Sequence, residues 1–505
     1  MMYDLLCIGF GPASLAIAIA LFDRSSSAKV SFLERQPRFA WHAGMQLSGA
    51  KMQISFLKDL ATPRNPKSHF TFMNYLFCKK RLHNFINLDT FTPSRVEYED
   101  YLRWCAGHFE ERVAYGQEVV SVEPDDHEDS GHGTADRHDD HELTDSSAKS
   151  QVTRFKVISR DIASGEFTTR VARHVVIAVG GRGKIPAELP PTHPRVVHSS
   201  RYVQHVATAL PSQAAAYHVA VVGSGQSAAE IFNDLPTRYP HARVTMVIKG
   251  SALRPSDDSP FVNEIFGPEC VDGVFAEEGA VRAARIRADR ATNYGVVRLA
   301  LLEHLYEKLY MQRVKSEDPD TWLLRIKTRK RVAKVIERDG KLVLGLQRVR
   351  EGKEEGDKSG EKGKTWERES RRGGEEQEEE ELAVDAVFVA TGYEQTAYEN
   401  LLVNTRALLT AQDRNDGQTT FPVRRDYKIA FDESKVAANA GIWLQGCNEK
   451  THGVSLSIPA PSVSSDLRSP LLSDTLLSIL AVRAGELVQS IFGTEVAQSS
   501  ARAKL

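Results

Sequence analysis

The chain has 505 residues, of which 41% are hydrophobic, and this is enough for two or three domains with sizeable cores. Its 65 lysines and arginines almost balance 67 aspartates and glutamates, so the net charge of −2 gives no indication of a nucleic-acid partner. The five cysteines form neither a C-x-x-C pair nor a metal-ligand spacing, which excludes a dithiol-dependent reductase of the usual kind and favours a reducing compartment such as the cytoplasm.

The first predicted unit is a strand, a glycine turn and a helix in YDLLCIGFGPASLAIAIAL, residues 3–21. Glycines in such a turn let the backbone approach a pyrophosphate, whose charge then lies at the positive end of the helix. The residues of this turn are Gly9, Gly11, Pro12 and Ser14, the last at the position of the usual third glycine. No basic residue precedes the apolar stretch and the turn interrupts it, so we expect neither a signal peptide nor a membrane anchor.

The next predicted strand, KVSFLERQ, ends in Glu34, 25 residues after Gly9. An acidic side chain at this distance binds the free ribose hydroxyl of a dinucleotide such as FAD and would repel a 2′-phosphate. A solvated strand end is the alternative interpretation of Glu34.

Two segments are predicted to be disordered insertions, because they are too poor in apolar residues to bury a core of their own. The second, residues 350–381, is a run of charges. The first, residues 125–150, is rich in histidine, and metal binding is its alternative interpretation, although we expect no metal. Its histidines are His127, His132, His138 and His141.

A second strand, turn and helix is predicted in YHVAVVGSGQSAAEIFNDL, residues 217–235. The turn consists of Gly223, Ser224, Gly225, Gln226 and Ser227. The following predicted strand carries Lys249, 26 residues after Gly223, and Arg254 lies close behind it. Basic side chains there attract a 2′-phosphate, so the second unit favours NADPH where the first favours FAD. A solvated strand end is the alternative interpretation of Lys249. Two such sites in one chain indicate that NADPH delivers hydride to a flavin.

The segment LAVDAVFVATGYEQT is predicted to be a strand that ends in Ala390-Thr391-Gly392-Tyr393. It resembles the Ala-Thr-Gly strand of class B flavin monooxygenases and their relatives. The chain ends in Ala503-Lys504-Leu505, which is similar to the S-K-L peroxisomal address, so import into peroxisomes is an alternative to the cytoplasm.

Three longer motifs resemble the microbial N-hydroxylating monooxygenases, and specifically the fungal L-ornithine N5-monooxygenases of siderophore synthesis. They are GAKMQISFLKDLATPRNPKSHFTFMNYL (49–76), RPSDDSPFVNEIFGPE (254–269) and ATNYGVVRLALLEHLY (291–306). The resemblance implies that O₂ is activated as a C4a-hydroperoxyflavin and transferred to the side-chain amine of L-ornithine, giving N5-hydroxyornithine. An L-lysine N6-monooxygenase and a non-productive FAD/NADPH oxidase are the alternatives.

The resemblance also implies roles for particular residues. The substrate-binding residues would be Lys58, Asn263, Asn293 and Ser473, and Gln53 would lie beside the flavin ring. Further FAD contacts would be Trp41, His42 and Asp474, and further NADPH contacts would be Asn293, Thr391, Gly392 and Tyr393. Lysine is a natural partner for the substrate carboxylate, although a surface ion pair for Lys58 and capping roles for the asparagines are the alternatives. No side chain is predicted to be catalytic, because the chemistry belongs to the flavin.

We therefore expect an α/β fold with two Rossmann-like dinucleotide-binding domains and a small, mostly helical substrate region. The FAD-binding domain would combine residues 1–205 and 383–505, the NADPH-binding domain would span 206–382, and the helical region would cover about 265–335. The resemblance implies a homotetramer.

The chain departs from the family pattern between Thr451-His452-Gly453 and Leu472-Ser473-Asp474, where a segment rich in serine and proline intervenes at 454–471. If residues 454–471 form a surface loop, the motifs on both sides stay in place. If they intrude into the site, they displace Ser473, and the non-productive oxidase is favoured.

Overall fold

The structure is a computed structural model that describes residues 2–125, 151–288, 295–349, 380–415, 421–452 and 477–493. The two predicted insertions and the 454–471 segment therefore lie wholly or largely outside the described residues. The same holds for Asn293, Ser473, Asp474 and the carboxyl-terminal tripeptide.

The chain alternates strands and helices along most of its length. The strands are β1 (Met2–Ile8), β2 (Val30–Glu34), β3 (Val113–Tyr115), β4 (Gln117–Pro124), β5 (Phe155–Asp161), β6 (Phe167–Ile177), β7 (Arg182–Gly183), β8 (Val196–His198), β9 (His218–Val222), β10 (Arg243–Val247), β11 (Arg254–Pro255), β12 (Val296–Val297), β13 (Leu324–Lys327), β14 (Lys330–Arg338), β15 (Lys341–Arg348), β16 (Glu380–Val384), β17 (Ala386–Val389), β18 (Tyr393–Glu394) and β19 (Gly441–Leu444). The helices are α1 (Pro12–Asp23), α2 (Phe72–Cys78), α3 (Leu82–Ile86), α4 (Arg95–Gly107), α5 (Tyr202–Ala209), α6 (Gln226–Arg238), α7 (Pro260–Asn263), α8 (Cys270–Ala276), α9 (Gly279–Ala288), α10 (Leu299–Lys315), α11 (Ala397–Leu401), α12 (Ala411–Asn415), α13 (Glu449–His452) and α14 (Leu480–Phe492).

The first sheet has the strand order β3-β2-β1-β6-β5-β4, and β19 also pairs with β6. Strands β1, β2, β3, β6 and β19 are parallel, whereas β4 and β5 extend the sheet in antiparallel fashion. Helix α1 packs between this sheet and helices α4 and α14, which explains why every residue from Ser14 to Leu21 is buried. The predicted strand, turn and helix at the start of the chain is thereby confirmed.

The second sheet is fully parallel, with the order β13-β10-β9-β17-β8. Its strands are apolar runs that are covered on both faces, as parallel strands usually are. One face packs against α5, α6 and α10, and the other against the antiparallel sheet β14-β15-β16. The second predicted strand, turn and helix corresponds to β9 and α6 and is likewise confirmed.

The pairing of three strands differs from the predicted bounds of the FAD-binding domain and of the helical region. Strands β8 and β17, which boundaries at 205 and 383 assign to the first unit, pair within the second sheet. Strand β13 lies inside the predicted helical region 265–335 but pairs with β10 in the same sheet. Neighbouring parallel strands are joined by long crossover connections, so strands that are distant in sequence can belong to the same sheet.

Between β10 and β13 of the second sheet, the described residues 260–288 and 295–315 are mostly helical, from α7 to α10. Among the described residues, no helix has both the length and the apolar composition needed to cross a membrane.

Candidate active site

The two glycine loops, residues 9–11 and 223–225, have similar backbones: each begins with a glycine at positive φ and ends with a glycine that is the N-cap of a helix. Gly9 has φ +90° and Gly223 has φ +136°, a region that favours glycine. A Cβ on Gly9 would collide with the carbonyl oxygen of Ala178 after β6, and a Cβ on Gly223 would collide with that of Ala390 after β17. Each loop is therefore pressed against the neighbouring parallel strand, and only glycine fits there.

Each loop leads into a helix whose first turn is free to bind an anion. Gly11 is the N-cap of α1 and Gly225 is the N-cap of α6, and neither helix start has a side-chain cap or an acidic residue in its first turn. The hydroxyl of Ser14, in the first turn of α1, is fully buried and has no hydrogen-bond partner among the described residues. Bare amide groups at a helix N-terminus suit the pyrophosphate of a dinucleotide, so both loops fit such a ligand.

Glu34 is a buried carboxylate at the end of β2, with only 6% of the residue exposed, and not a solvated strand end. Its Oε2 accepts a hydrogen bond from the amide of Phe10 at 2.7 Å, and its Oε1 accepts one from the amide of Gln36 at 2.9 Å. These bonds orient the carboxylate beside the first loop. Each oxygen retains a further lone pair, so the group can also accept a hydroxyl donor.

The basic residues of the second unit are exposed. Lys249 follows β10 and Arg254 lies in β11, and among the described residues neither has an acidic partner. A Cβ on Gly225 would come within 3.6 Å of Gly295 Cα, so the chain two residues after Asn293 lies against the second loop. Asn293 itself is outside the described residues.

Arg298 links the second loop to the segment that contains Gln53. The side-chain oxygen of Gln226 accepts a hydrogen bond from the Arg298 amide at 2.9 Å, and the Arg298 guanidinium donates to the carbonyl of Met52 at 2.8 Å. The same guanidinium lies 3.3 Å from a carboxylate oxygen of Asp258. The sequence did not predict a role for Arg298, although it lies in the motif 291–306, because its partners are remote in sequence.

Lys58 is half-buried, and among the described residues its ammonium has no hydrogen bond or ion pair. The neighbouring Asp59 is 1% exposed, and its carboxylate accepts hydrogen bonds from the amides of Ala61, Thr62 and Phe72 at 2.8, 2.6 and 2.7 Å. Burial raises the pKa of Asp59 despite these bonds. Asp59 thus fixes the backbone that presents Lys58, and no surface ion pair of Lys58 is formed within the described part of the chain.

Gln53 and Asn263 both have exposed side chains. Asn263 lies at the end of α7 and donates a hydrogen bond to the carbonyl of Asp258 at 2.9 Å, while Ser259 caps the start of that helix. Asn263 is therefore not the cap of α7. Through Asp258 and Arg298 it is connected to Met52 and hence to the Gln53 segment.

Tyr393 lies between two histidine rings and brings together residues predicted for different cofactors. Its ring is 6.0 Å from that of His42 and 5.2 Å from that of His198. His198 Nε2 donates to the carbonyl of Gly392 at 3.0 Å, and its Nδ1 accepts from the amide of Ser200 at 3.1 Å, as expected for a neutral ring. Burial lowers the pKa of His198 and favours that neutral form. No sequence motif pointed to His198.

Of the remaining predicted residues, Trp41 is half-buried and packs against Tyr98 and His42. The hydroxyl of Thr391 donates to the carbonyl of Lys184, so it holds the end of β17 against the preceding chain. Pro12 takes the first helical turn of α1, where its missing amide costs nothing.

The chain segments on either side of the departure from the family pattern both contact the same helical region. His452 is fully buried, and its ring lies 4.9 Å from that of Phe275 in α8. After the gap, the described chain begins again at residue 477, and the hydroxyl of Ser478 donates to the carbonyl of Phe266 at 3.5 Å. The structure thus fixes residues on either side of 453–476 against residues 266–275.

Two sheets with parallel strands, each with one strand that leads into a glycine loop and a helix, are typical of α/β proteins that bind two dinucleotides. The family model described as "L-lysine 6-monooxygenase/L-ornithine 5-monooxygenase" matches residues 1–152 and 136–365. The chain belongs to this family, which confirms the resemblance drawn from the three long motifs.

The chain is similar to the L-ornithine N(5)-monooxygenase of Aspergillus oryzae, with 46% identity over 98% of this chain and 89% of the relative. It is also 46% identical to that of Cochliobolus heterostrophus, over 97% of this chain and 87% of the relative. Among solved structures, the ornithine hydroxylase PvdA of Pseudomonas aeruginosa is 34% identical with a TM-score of 0.76, over 97% of this chain and 99% of that one. The ornithine N-hydroxylase KtzI of Kutzneria sp. 744, solved with reduced FAD, NADP⁺ and L-ornithine, is 30% identical with a TM-score of 0.76 and the same coverage.

Proposed function

We propose that this protein uses FAD, NADPH and O₂ to hydroxylate the side-chain amine of L-ornithine, giving N5-hydroxyornithine for hydroxamate siderophore synthesis. The observation that carries the proposal is the 46% identity, over nearly the whole chain, to fungal relatives that bear the name L-ornithine N(5)-monooxygenase. The geometry agrees with it, because two glycine loops of similar backbone arrangement each lead into a helix without a side-chain cap, and exposed basic residues follow the strand next to the second loop.

FAD is assigned to the first loop and NADPH to the second. Bound flavin, once reduced by NADPH, supplies the activated oxygen that the amine receives. The first-turn amides of α1 and α6 hold the two pyrophosphates, Glu34 accepts from a ribose hydroxyl, and Lys249 and Arg254 attract the 2′-phosphate. The other proposed FAD contacts are Trp41, His42, Gln53 and Asp474, and the other proposed NADPH contacts are Ser224, Gln226, Ser227, Asn293, Thr391, Gly392 and Tyr393.

The amino-acid substrate is assigned to Lys58, Asn263, Asn293 and Ser473. The support for Lys58 is its half-buried ammonium, which has no partner among the described residues and is therefore available to a carboxylate. Asn263 offers both a donor and an acceptor to a zwitterion. The link from Asn263 through Asp258 and Arg298 to Met52 supports a pocket that includes Gln53.

We further propose two dinucleotide-binding domains, with residues 260–315 as the mostly helical region over the substrate. Strand pairing supports moving the domain boundaries so that β8 and β17 belong to the NADPH-binding domain, and ending the helical region before β13. A homotetramer in the cytoplasm completes the proposal. Light scattering of the purified protein tests the stoichiometry, and a fluorescent fusion with and without Ala503-Lys504-Leu505 tests the peroxisomal alternative.

The test of the function is a coupling assay on purified, FAD-loaded protein with NADPH and O₂. Hydroxylamine and hydrogen peroxide are quantified with L-ornithine, with L-lysine and without an amine. With ornithine, we expect the amount of hydroxylamine formed to be nearly equal to the amount of NADPH consumed. L-Lysine is included because one methylene contributes only about 1–3 kcal/mol to discrimination between substrates. A higher yield of hydroxylamine from lysine than from ornithine would overturn the substrate assignment.

The same assay tests the 454–471 segment. NADPH consumption that yields only peroxide, whichever amine is present, would identify a non-productive oxidase and contradict the proposal. Sequencing the transcript across this segment shows whether the mature message encodes it.

A further inference from the structure

Gln445, directly after β19, has a carboxamide that the fold leaves without a partner. The residue is 1% exposed, and among the described residues neither Oε1 nor Nε2 has a hydrogen bond. Gln117 provides a comparison, because it is also buried but donates to Asp161 at 2.7 Å and accepts from Ser159 at 2.9 Å. Buried amides are almost always hydrogen-bonded, so an exception indicates a ligand or another missing partner.

Strand register aligns Gln445 with the first glycine loop. Ile8 of β1 and Leu444 of β19 both pair with Ile177 of β6, which lies between them. The next residues in the three strands are therefore Gly9, Ala178 and Gln445, and the Gln445 amide donates to the Ile177 carbonyl at 2.9 Å. These three residues form a row at the carboxyl edge of the first sheet, where open α/β sheets bind their ligands.

The side chain lies on the same face as α1. Trp443, two residues earlier on β19, packs in the core that contains α1, whereas Leu444 packs on the opposite face. Alternation along the strand returns Gln445 to the α1 face. The unpartnered hydroxyl of Ser14 lies in the first turn of that helix, so two buried polar side chains without described partners belong to this face.

We propose that the Gln445 carboxamide binds the ribityl chain of FAD. A carboxamide offers a donor and an acceptor, which matches hydroxyl groups, whereas a pyrophosphate only accepts and would leave Oε1 without a partner. The pyrophosphate assigned to the Gly9 loop is joined to the adenosine ribose on one side and to the ribityl chain on the other. Glu34, at the end of β2, is assigned to the ribose, and Gln445 follows β19 on the other side of β1, so the ribityl chain is the group left for it. This inference rests on the proposed function only for the assignment of FAD to the first loop.

The test compares full-length wild-type protein with Gln445→Met, after both are stripped of FAD. FAD is titrated with flavin fluorescence as the readout, and ADP, which lacks the ribityl chain, is titrated as a competitor. We expect the Kd for FAD to rise about tenfold, which corresponds to about 1.4 kcal/mol, while the inhibition constant of ADP stays within about twofold. The stripped variant should melt no lower than stripped wild type, because an unpartnered amide has been removed.

The matched control is Gln117→Met, which loses two internal hydrogen bonds. It should lower the melting temperature of the stripped protein and leave the Kd for FAD unchanged. Gln445→Leu, which also removes both the donor and the acceptor without adding a charge, replaces Gln445→Met if that variant does not fold, and the same rise in the Kd for FAD is expected.

An unchanged Kd for FAD in the Gln445 variant would overturn the inference while leaving the proposed function intact. Equal weakening of FAD and ADP would also overturn the ribityl assignment. If wild-type protein itself fails to bind FAD, the proposed function fails, and the inference fails with it.

Discussion

Arg95 at the start of α4 and Glu230 in α6 form a buried, bidentate ion pair that joins α4, which packs against α1, to the helix of the second glycine loop. Their two hydrogen bonds are 2.9 and 2.8 Å long, and the side chains are only 13% and 6% exposed. Arg95 also donates to the carbonyl of Met45 at 2.6 Å, and Gln226 donates to Glu230 at 2.9 Å. The pair therefore ties Gln226, at the second loop, to the chain that leads to Gln53.

Replacing Glu230 with glutamine should strongly destabilise the protein, because Arg95 then remains buried without a counter-charge. Loss of one partner of a buried pair typically costs about 3–5 kcal/mol, and the glutamine oxygen recovers part of it. The measurement is the urea midpoint of the FAD-loaded protein. Glu118→Gln is the control, because its ion pair with Arg160 is exposed and should contribute less than about 1 kcal/mol. Equal midpoints for the two variants would contradict a structural role for the buried pair.

Stability should fall as the pH is lowered from about 6.5 towards 4, in part because of His174. Burial, helped by Arg173 and Lys428, lowers the pKa of His174 to about 4, against 6.5 when unfolded. Between these values the unfolded chain binds one more proton, so the contribution is complete above about pH 6.5 and is lost as the pH falls through 4.

Replacing His174 with phenylalanine removes this titration while keeping a ring beside Trp443. The midpoint of denaturation of His174→Phe should depend less on pH between 6.5 and 4 than that of wild type. His304→Phe, at an exposed position, is the control and should retain the wild-type pH dependence. If both variants follow wild type, His174 does not contribute in the way its burial implies.

Lys58→Met should raise the KM for ornithine by about tenfold or more, because one charge-assisted hydrogen bond to the carboxylate is lost. Reduction of the flavin by NADPH, followed by stopped flow without ornithine, should stay nearly unchanged. Lys67→Met removes an exposed charge nearby in sequence and should alter neither quantity. A comparable loss in both quantities for Lys58→Met would refute its assignment to the substrate.

Lys249→Glu should weaken the use of NADPH relative to NADH by about tenfold, because a carboxylate replaces a cation proposed to face the 2′-phosphate. The measurement is kcat/KM for each nucleotide in flavin reduction. Lys67→Glu introduces the same charge change away from the second loop and should leave the ratio unaltered. An unchanged preference for NADPH over NADH in Lys249→Glu would show that this lysine does not bind the 2′-phosphate.

The features that were predicted correctly from the sequence are local ones. Each strand, glycine turn and helix lies within about twenty contiguous residues, so the apolar run, Gly9 or Gly223 and the helical pattern together indicate the element. Family membership was also accessible, because the long motifs around Lys58, Asn263 and Asn293 are contiguous. The assigned roles of these residues stay predictions.

The relationships that sequence reasoning missed join distant segments. Strands β8, β13 and β17 belong to one sheet because parallel pairing follows crossovers, and no local pattern states which strand a run will join. Arg95 and Glu230 are 135 residues apart, and Arg298 and Met52 are 246 apart. An unpartnered amide such as that of Gln445 is visible only after every neighbour has been placed, because burial and hydrogen bonding depend on packing and not on residue type.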